Sequence, residues 1–347
     1  MSQKNNLRFG VIGAGRIGKI HAENLATRIP GVEVAAIADV DLKAAQDLAV
    51  RLHVPVAVDD YHVLFSDPSI DAVAICSSTD THARLVIEAA QAGKHIFCEK
   101  PIDYELTKID AALEAVEKAG VKLQIGFNRR FDPNFRKVRA MVAEGRIGEP
   151  HIIRITSRDP APPPVSYVKV SGGLFLDMTI HDFDMARYLS GSEVEEVYVA
   201  AGVMVDPEIG AAGDVDTAVI TLRFANGAIG TIDNSRKAVY GYDQRVEVFG
   251  SLGMVQAHNN TTDNDVYYTA EGVQSAKPLY FFLERYMESF IAELREFAQS
   301  VQDDTTPPVV GIDGRIPVVI GMAAKKSYLE NRPVKISEIT APVPEPG

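Results

Sequence analysis

Cysteine is nearly absent from this chain of 347 residues, which contains only Cys76 and Cys98. Two cysteines are too few for the disulfide framework that stabilises many small secreted domains. Each stands in an apolar, strand-like run, so we predict that both are buried, reduced thiols. This pattern indicates a reducing, cytoplasmic compartment.

Long apolar runs and an excess of basic residues are also missing. No stretch reaches the roughly 18–20 apolar residues that a membrane-spanning helix needs. The opening residues, MSQKNNLRFGVIG, lack the apolar segment and cleavage site of a secretory signal. Acidic residues outnumber basic ones 47 to 35, so a net charge of −12 disfavours nucleic acid or an anionic membrane as a partner.

The pattern of apolar residues changes near position 130 and predicts two domains, as the length also does. Before that point, apolar strands alternate with helices, which is typical of a doubly wound α/β fold with a parallel sheet. After it, strands of alternating polarity predict an α+β domain with a large, mainly antiparallel sheet, followed by helices near 281–302 and 313–330. We therefore predict domains at 1–128 and 129–347, with helix 313–330 a candidate to pack back on the first.

A glycine-rich loop follows the first apolar strand and opens the first helix. In a βαβ unit, a GxGxxG pattern of this kind lets backbone N–H groups approach a pyrophosphate. Asp39 ends the second strand, where a carboxylate can accept both ribose hydroxyls and would repel a 2′-phosphate, and Val40 follows with no basic neighbour. The pattern predicts NAD rather than NADP, although a glycine turn without a nucleotide would look similar. The predicted loop contacts are Gly13, Ala14, Gly15, Arg16, Ile17 and Gly18.

Polar residues follow two further strands of the predicted parallel sheet, where doubly wound folds bind their ligands. Ser77, Ser78, Thr79 and His82 come after the strand at 71–78 and are candidate cofactor contacts, with helix capping as the alternative reading. The segment FCEKP places Glu99 and Lys100 at the end of the strand at 94–101. Pro101 restrains the residue before it, so Lys100 would leave the sheet at a fixed point, unless it is plain surface.

The segment GGLFLDMTIHDFDMARYL, residues 172–189, reads as one helix that is apolar nearly all round and therefore buried. Asp177, His181, Asp184 and Tyr188 share one stripe of that helix. Asp177 and His181 are neighbours at i and i+4, an arrangement in which a carboxylate orients an imidazole as a general base. A core histidine with capping acids, or a metal bound by Asp177, His181 and Asp184, are the alternatives; we predict no metal.

These segments together resemble the inositol dehydrogenase group of the Gfo/Idh/MocA oxidoreductase family over nearly the whole chain. The resemblance is carried by GVIGAGRIGKIH, FCEKP, GFNRRFDPNF, SRDP, GGLFLDMTIHDFDMARYL and YGYDQR. It implies that Lys100, Asp177 and His181 are catalytic and that the second domain mediates a homo-oligomer, a tetramer or a dimer. It also implies substrate contacts from Arg129, Asp159 and Tyr242, and contacts from Asn128 to both substrate and cofactor. Some relatives have His-Arg-Asn-Pro where this chain has Ser-Arg-Asp-Pro at 157–160.

The reaction that this resemblance implies is the NAD-dependent oxidation of a secondary hydroxyl of a cyclic polyol, foremost myo-inositol to its 2-keto product. scyllo-Inositol or a pyranose aldose are alternative substrates within the same family. A protein that holds NADP(H) tightly and exchanges hydride between two sugars is disfavoured by Asp39. A regulator that senses nucleotide without catalysis is the alternative from another class, and it would not need Lys100, Asp177 and His181 together.

Overall fold

The computed structural model of the chain describes residues 6–339. The predicted domains also include residues 1–5 and 340–347, which lie outside that range. The strands are β1 Leu7–Ile12, β2 Val32–Ala38, β3 Val56–Val58, β4 Ala72–Ile75, β5 His95–Cys98, β6 Leu123–Ile125, β7 Pro150–Arg158, β8 Val194–Gly202, β9 Thr217–Phe224, β10 Ile229–Ser235, β11 Asp243–Gly250, β12 Gly253–Ala257, β13 Val266–Thr269, β14 Gly272–Ser275 and β15 Val334–Lys335.

The α-helices are α1 Arg16–Thr27, α2 Leu42–Leu52, α3 His62–Ser66, α4 Thr79–Gln91, α5 Leu106–Ala119, α6 Pro133–Ala143, α7 Val165–Val168, α8 Gly173–Asp177, α9 Thr179–Ser190, α10 Pro207–Ala211, α11 Phe282–Arg285, α12 Met287–Gln302 and α13 Gly311–Glu330. Short 3₁₀ turns occupy Asn128–Phe131 and Ile336–Glu338. Across residues 6–339, no helix combines the length and the apolar character needed to cross a membrane.

The chain divides into two compact units, and each is discontinuous in sequence. The first unit contains the described residues up to Phe131 and the segment Glu288–Ile316. The second contains Asp132–Met287 and the described residues from Pro317 onward. Helix α12 thus belongs to the first unit, and the chain passes from the first unit to the second within α13.

The first unit is built on a six-stranded sheet in the order β3-β2-β1-β4-β5-β6. Every pair in it is parallel. This order and direction define a doubly wound Rossmann sheet and confirm the predicted fold class. Phe9, Val11 and Ile37 of its strands are fully buried and pack with Leu294 and Phe297 of α12 in one apolar cluster.

The second unit is built on a seven-stranded sheet in the order β12-β11-β7-β10-β9-β8-β15. Its pairs are antiparallel, except that β7 and β10 run parallel. Burial alternates along β9, where Ala218, Ile220 and Leu222 are buried and Val219 is exposed. The period of two confirms the predicted mainly antiparallel sheet with one covered face.

The predicted single helix at 172–189 is wrong, because the chain forms two helices, α8 and α9, that break at Met178. The single hydroxyl proton of Thr179 faces two acceptors at this break, the Asn234 side-chain oxygen at 2.6 Å and the Leu174 carbonyl oxygen, five residues back, at 3.1 Å. Asp177 therefore ends one helix, and His181 lies in the first turn of the next.

Candidate active site

The glycine loop between β1 and α1 has the geometry expected of a phosphate-binding turn. Gly13 has a φ of +103°, and a Cβ there would lie 2.6 Å from the Cys76 carbonyl oxygen. A Cβ on Gly18 would lie 1.9 Å from the Gly13 oxygen, so α1 can approach the sheet only without it. Gly15, by contrast, would meet nothing within 4 Å and is exposed. Packing therefore explains Gly13 and Gly18, whereas the bare face at Gly15 is open for a ligand at a helix N-terminus.

The carboxylate of Asp39 is fixed against this loop by two backbone groups. Its Oδ2 accepts a hydrogen bond from the Ala14 N–H at 2.6 Å, and its Oδ1 accepts one from the Asp41 N–H at 2.8 Å. A carboxylate oxygen can accept more than one hydrogen bond, so both oxygens can also accept ribose hydroxyls. Val40 is 94% exposed beside it. The residues present therefore fit an adenosine ribose and would repel a phosphate on it.

The polar residues after β4 are engaged with one another. Ser77 Oγ lies 2.6 Å from Thr81 Oγ1, and Ser78 holds the N-cap position of α4 without a side-chain capping bond. His82 is buried, with its ring nitrogens 2.8 Å from the Pro101 carbonyl oxygen and 3.1 Å from that of Ser77. The imidazole thus connects the chain after β4 with the chain after β5, and its contact with a cofactor stays a prediction.

The residues after β5 and β6 lie at the same edge of the parallel sheet, because carboxyl ends of parallel strands align. Lys100 is half-buried, whereas Glu99 is buried and lies 2.6 Å from His21 Nε2 of α1. Asn128 and Arg129 begin the 3₁₀ turn after β6 and are both buried. His21 was not predicted, because a single histidine in an amphipathic helix has no distinguishing pattern.

Asp177 and Asp159 are brought together in the second unit by one buried arginine that the sequence did not single out. Arg236, which is 3% exposed, donates from Nη2 to Asp177 Oδ2 at 3.1 Å and from Nη1 to Asp159 Oδ2 at 3.2 Å. Tyr167 donates its hydroxyl to the other oxygen of Asp177 at 2.9 Å. Burial opposes the charge of Arg236, but attraction to Asp177 and then Asp159 raises its pKa above the ordinary value. The guanidinium is therefore a permanent cation that holds two carboxylates.

The residues around the break at Met178 differ sharply in burial. Asp177 and His181 are half-buried, whereas Asp182 and Asp184 are fully buried. Asp182 accepts a hydrogen bond from the Asn234 amide at 2.9 Å, so its role is structural. The accessible carboxylate and imidazole are the two for which a catalytic role was predicted. Within residues 6–339, Asp177, His181 and Asp184 form no group with metal-ligand spacing.

Tyr242 lies on the loop between β10 and β11 and is 7% exposed. Its ring meets that of Tyr286 edge-on, with centroids 6.0 Å apart, and its backbone N–H donates to the Leu279 carbonyl. The neighbouring Tyr240 donates its hydroxyl to Asp243 at 2.6 Å. The loop is thus anchored on both sides of Tyr242.

A Rossmann sheet with a dinucleotide loop, together with an arginine-held aspartate four residues before a half-buried histidine, is typical of nicotinamide-dependent oxidoreductases. Comparison with known families agrees with this class. Residues 7–127 match the oxidoreductase family with an NAD-binding Rossmann fold, and residues 135–256 match the Gfo/Idh/MocA C-terminal domain. The chain belongs to the Gfo/Idh/MocA oxidoreductase family, and its cofactor is NAD.

Relatives in this family are similar over almost their full length. Myo-inositol 2-dehydrogenase of Thermotoga maritima is 54% identical over 96% of this chain and 99% of its own. Inositol 2-dehydrogenase of Rhizobium meliloti is 44% identical over 95% of this chain and 99% of its own.

Solved structures show the same fold. A probable dehydrogenase from Thermotoga maritima, 54% identical, superposes with a TM-score of 0.95 over 96% of this chain and 100% of its own. scyllo-Inositol dehydrogenase from Lactobacillus casei with bound NAD(H) and scyllo-inositol is 30% identical. It superposes with a TM-score of 0.89 over 96% of this chain and 99% of its own. Myo-inositol dehydrogenase from the same organism, in complex with NAD(H) and myo-inositol, is 27% identical. It superposes with a TM-score of 0.86 over 98% of this chain and 99% of its own.

Proposed function

We propose that this chain oxidises myo-inositol at one secondary hydroxyl to 2-keto-myo-inositol, with NAD as the hydride acceptor. The observation that carries the proposal is the 54% identity, over nearly the whole of both chains, to a myo-inositol 2-dehydrogenase. The first unit then binds NAD and the second binds the polyol. The substrate has no charge to neutralise, so hydrogen-bonding side chains such as Asp159 and Tyr242 suit it better than a cluster of cations would.

His181 is the general base in this proposal and takes the hydroxyl proton of the substrate. Asp177 steadies the imidazolium that results, and Arg236 and Tyr167 hold its carboxylate in place for that purpose. Lys100 stabilises the negative charge that develops on the reacting oxygen. NAD, when bound, supplies the acceptor for the hydride that leaves the same carbon.

Further residues are assigned to binding rather than to chemistry. Asp39 selects NAD by accepting the ribose hydroxyls, and Val40 lies beside it. Asn128, Arg129, Asp159 and Tyr242 contact the polyol. The remaining proposed contacts of the cofactor are Gly13, Ala14, Gly15, Arg16, Ile17, Gly18, Ser77, Ser78, Thr79, His82, Glu99, Lys100 and Asn128.

The assembly that we propose is a cytoplasmic homo-oligomer, a tetramer or a dimer, formed through the large sheet. Support comes from apolar side chains that stand exposed on that sheet: Val219, Ile229, Phe249 and Met254 are each 43–52% exposed. Light scattering after gel filtration tests the assembly directly. We expect the mass of a tetramer or a dimer, and a single monomeric species would contradict this part of the proposal.

The experiment that tests the function is a substrate panel followed by the absorbance of the reduced cofactor. The panel contains myo-inositol, scyllo-inositol, D-chiro-inositol, D-glucose and D-xylose, each with NAD and with NADP. We expect turnover of myo-inositol with NAD and little with NADP. Preference for another polyol would mean that the substrate was misread from the segments at 157–160 and 240–243. No turnover across the panel would favour a nucleotide-sensing regulator or a sugar outside the panel.

A further inference from the structure

A buried cluster of one imidazole and two carboxyl groups adjoins the end of β5, next to Lys100. His21 comes from α1, Glu99 follows β5, and Glu293 comes from α12. His21 Nε2 lies 2.6 Å from Glu99 Oε1 and 4.0 Å from Glu293 Oε1. His21 and Glu293 are fully buried, and Glu99 is 8% exposed. The function proposed above uses neither His21 nor Glu293.

The surroundings of this cluster are apolar. The ring of His21 meets Phe97 and Phe290 edge-on, at centroid distances of 5.0 and 5.7 Å. Both carboxyl oxygens of Glu293 lack a hydrogen-bond partner within residues 6–339. Buried polar groups are rarely left in that state, because the free-energy cost is high, so a carboxyl group without a partner beside the His21–Glu99 hydrogen bond calls for a role.

The balance of charge in the cluster decides the protonation state of Glu293. His21 Nε2 is already hydrogen-bonded to Glu99, so an ionised Glu293 would add a further negative charge beside that carboxyl group in an apolar space. Burial, and then repulsion from Glu99, raises the pKa of Glu293 well above its ordinary value. The charge balance and the raised pKa both favour the neutral form of the Glu293 carboxyl group, which has one O–H group to donate.

Glu99 connects the cluster to the candidate catalytic lysine, since it is the residue before Lys100. Its N–H donates to the Ile75 carbonyl at 3.0 Å, and its carboxyl group would lie 3.1 Å from a Cβ on Gly126, so any side chain at position 126 would crowd it. The ligand atoms of all three side chains in the cluster lie within 4.8 Å of one another. Glu293 makes no hydrogen bond to Glu99 in the structure, but at this separation a small rotation of its side chain would let a neutral carboxyl group donate to Glu99 and hold it in one orientation.

We propose that Glu293 is a positioning residue for Lys100: its neutral carboxyl group donates a hydrogen bond to the Glu99–His21 pair and so fixes the chain from which Lys100 projects. The inference rests on the proposed function, because it takes Lys100 to act on the substrate. It adds a residue that contacts neither substrate nor cofactor, and whose effect passes through Glu99.

The test compares two variants of Glu293 with a control from the same helix. Glu293→Ala removes the donor, and we expect kcat to fall roughly 10- to 100-fold through misplacement of Lys100. The KM for NAD should rise by a smaller factor, because Glu99 and Lys100 are also proposed contacts of the cofactor. Glu293→Gln keeps a neutral donor of the same shape and should restore most of kcat. Leu294→Ala, the matched control, removes a fully buried apolar side chain of the same helix and should lower the melting temperature without lowering kcat.

A profile of kcat against pH gives a readout that mere loss of packing would not move. The titratable groups facing Glu293 are Glu99, His21 and Cys76, and burial followed by the charge of Glu99 raises the pKa of the Cys76 thiol well above its usual range. Ionisation of Glu293 as the pH rises should disturb the pair and lower kcat. Glu293→Gln should therefore shift the alkaline limb to higher pH, and an unmoved limb would overturn the proposal.

A bound divalent cation is the competing explanation, and metal analysis of the purified wild-type protein decides it. Equimolar metal that is lost in Glu293→Gln would overturn the proposal, and metal-free, active protein supports it. The experiments distinguish failure of the proposed function from failure of the positioning role of Glu293. If the wild type oxidises no polyol, the proposed function fails; if the wild type is active and Glu293→Ala has the same kcat, only the role of Glu293 fails.

Discussion

Replacement of Arg236 is the substitution whose cost in unfolding free energy can be estimated most directly from the structure. The side chain is 3% exposed and makes two charge-assisted hydrogen bonds, at 3.1 and 3.2 Å, to Asp177 and Asp159. Removing one partner of a buried ion pair costs about 3–5 kcal/mol of unfolding free energy. The two aspartates are 13% and 20% exposed, so water can solvate them in part, and we expect Arg236→Gln to lose about 3 kcal/mol, the lower end of that range.

The matched control is Arg154→Gln in the same sheet. Arg154 pairs with Glu247 at a similar distance, 3.2 Å, but its side chain is 59% exposed. An exposed pair is worth about 0–1 kcal/mol, so this variant should unfold almost like the wild type. Both variants lose one positive charge, so the difference between their unfolding free energies reports the effect of burial.

Activity provides the second readout for Arg236. Without the guanidinium, only Tyr167 among the contacts described above still holds the Asp177 carboxylate, and the expected fall in kcat is roughly 100-fold. Arg236→Lys should recover only part of it, because an ammonium cannot reproduce the planar pair of donors. Urea unfolding followed by circular dichroism, together with NADH formation, measures both effects. A positioning role of Arg236 is excluded if Arg236→Gln matches Arg154→Gln in stability and keeps a kcat within about twofold of the wild type.

Three further predictions follow from the same site. His181→Ala should lower turnover by roughly 100-fold or more while NADH still binds, as fluorescence titration would show; near-normal turnover would remove His181 as the base. Gly18→Ala should unfold at a lower temperature, because its Cβ would lie 1.9 Å from the Gly13 oxygen, whereas Gly15→Ala should melt normally and bind NAD more weakly. Equal melting of these two variants would contradict the packing argument. Burial raises the pKa of both Cys76 and Cys98, so a thiol reagent should react with neither in the native protein and with both after denaturation; fast reaction of either would contradict their burial.

Local patterns made much of the first unit predictable from sequence. Gly13, Gly15 and Gly18 occur within six residues. Their spacing predicts the tight turn at Gly13, the open face at Gly15 and the close packing of α1 at Gly18. Asp39 follows at the distance that the fingerprint requires, and the structure fixes it on the loop through the Ala14 N–H. The strand Val56–Val58 was not predicted, because three residues are too few to show a period.

The interactions that organise the rest of the site are long-range, and no local pattern encodes them. Arg236 lies 59 residues from Asp177 in sequence and meets it only through the fold. Glu293 looks like an ordinary polar position of an amphipathic helix until the structure places it beside His21. The break at Met178 lies beside the contacts of the Thr179 hydroxyl with Asn234 and Leu174, which helical periodicity does not reveal.

The most direct test of the central claim is the fate of the hydrogen on the oxidised carbon. myo-Inositol deuterated at C2 would be incubated with the protein and NAD, and the reduced cofactor and the inosose would be analysed by mass spectrometry. The account predicts that the deuterium appears in the reduced cofactor and is absent from the 2-keto product. Turnover that leaves the cofactor unlabelled, or no reduction of NAD at all, would contradict oxidation of myo-inositol at C2 by hydride transfer.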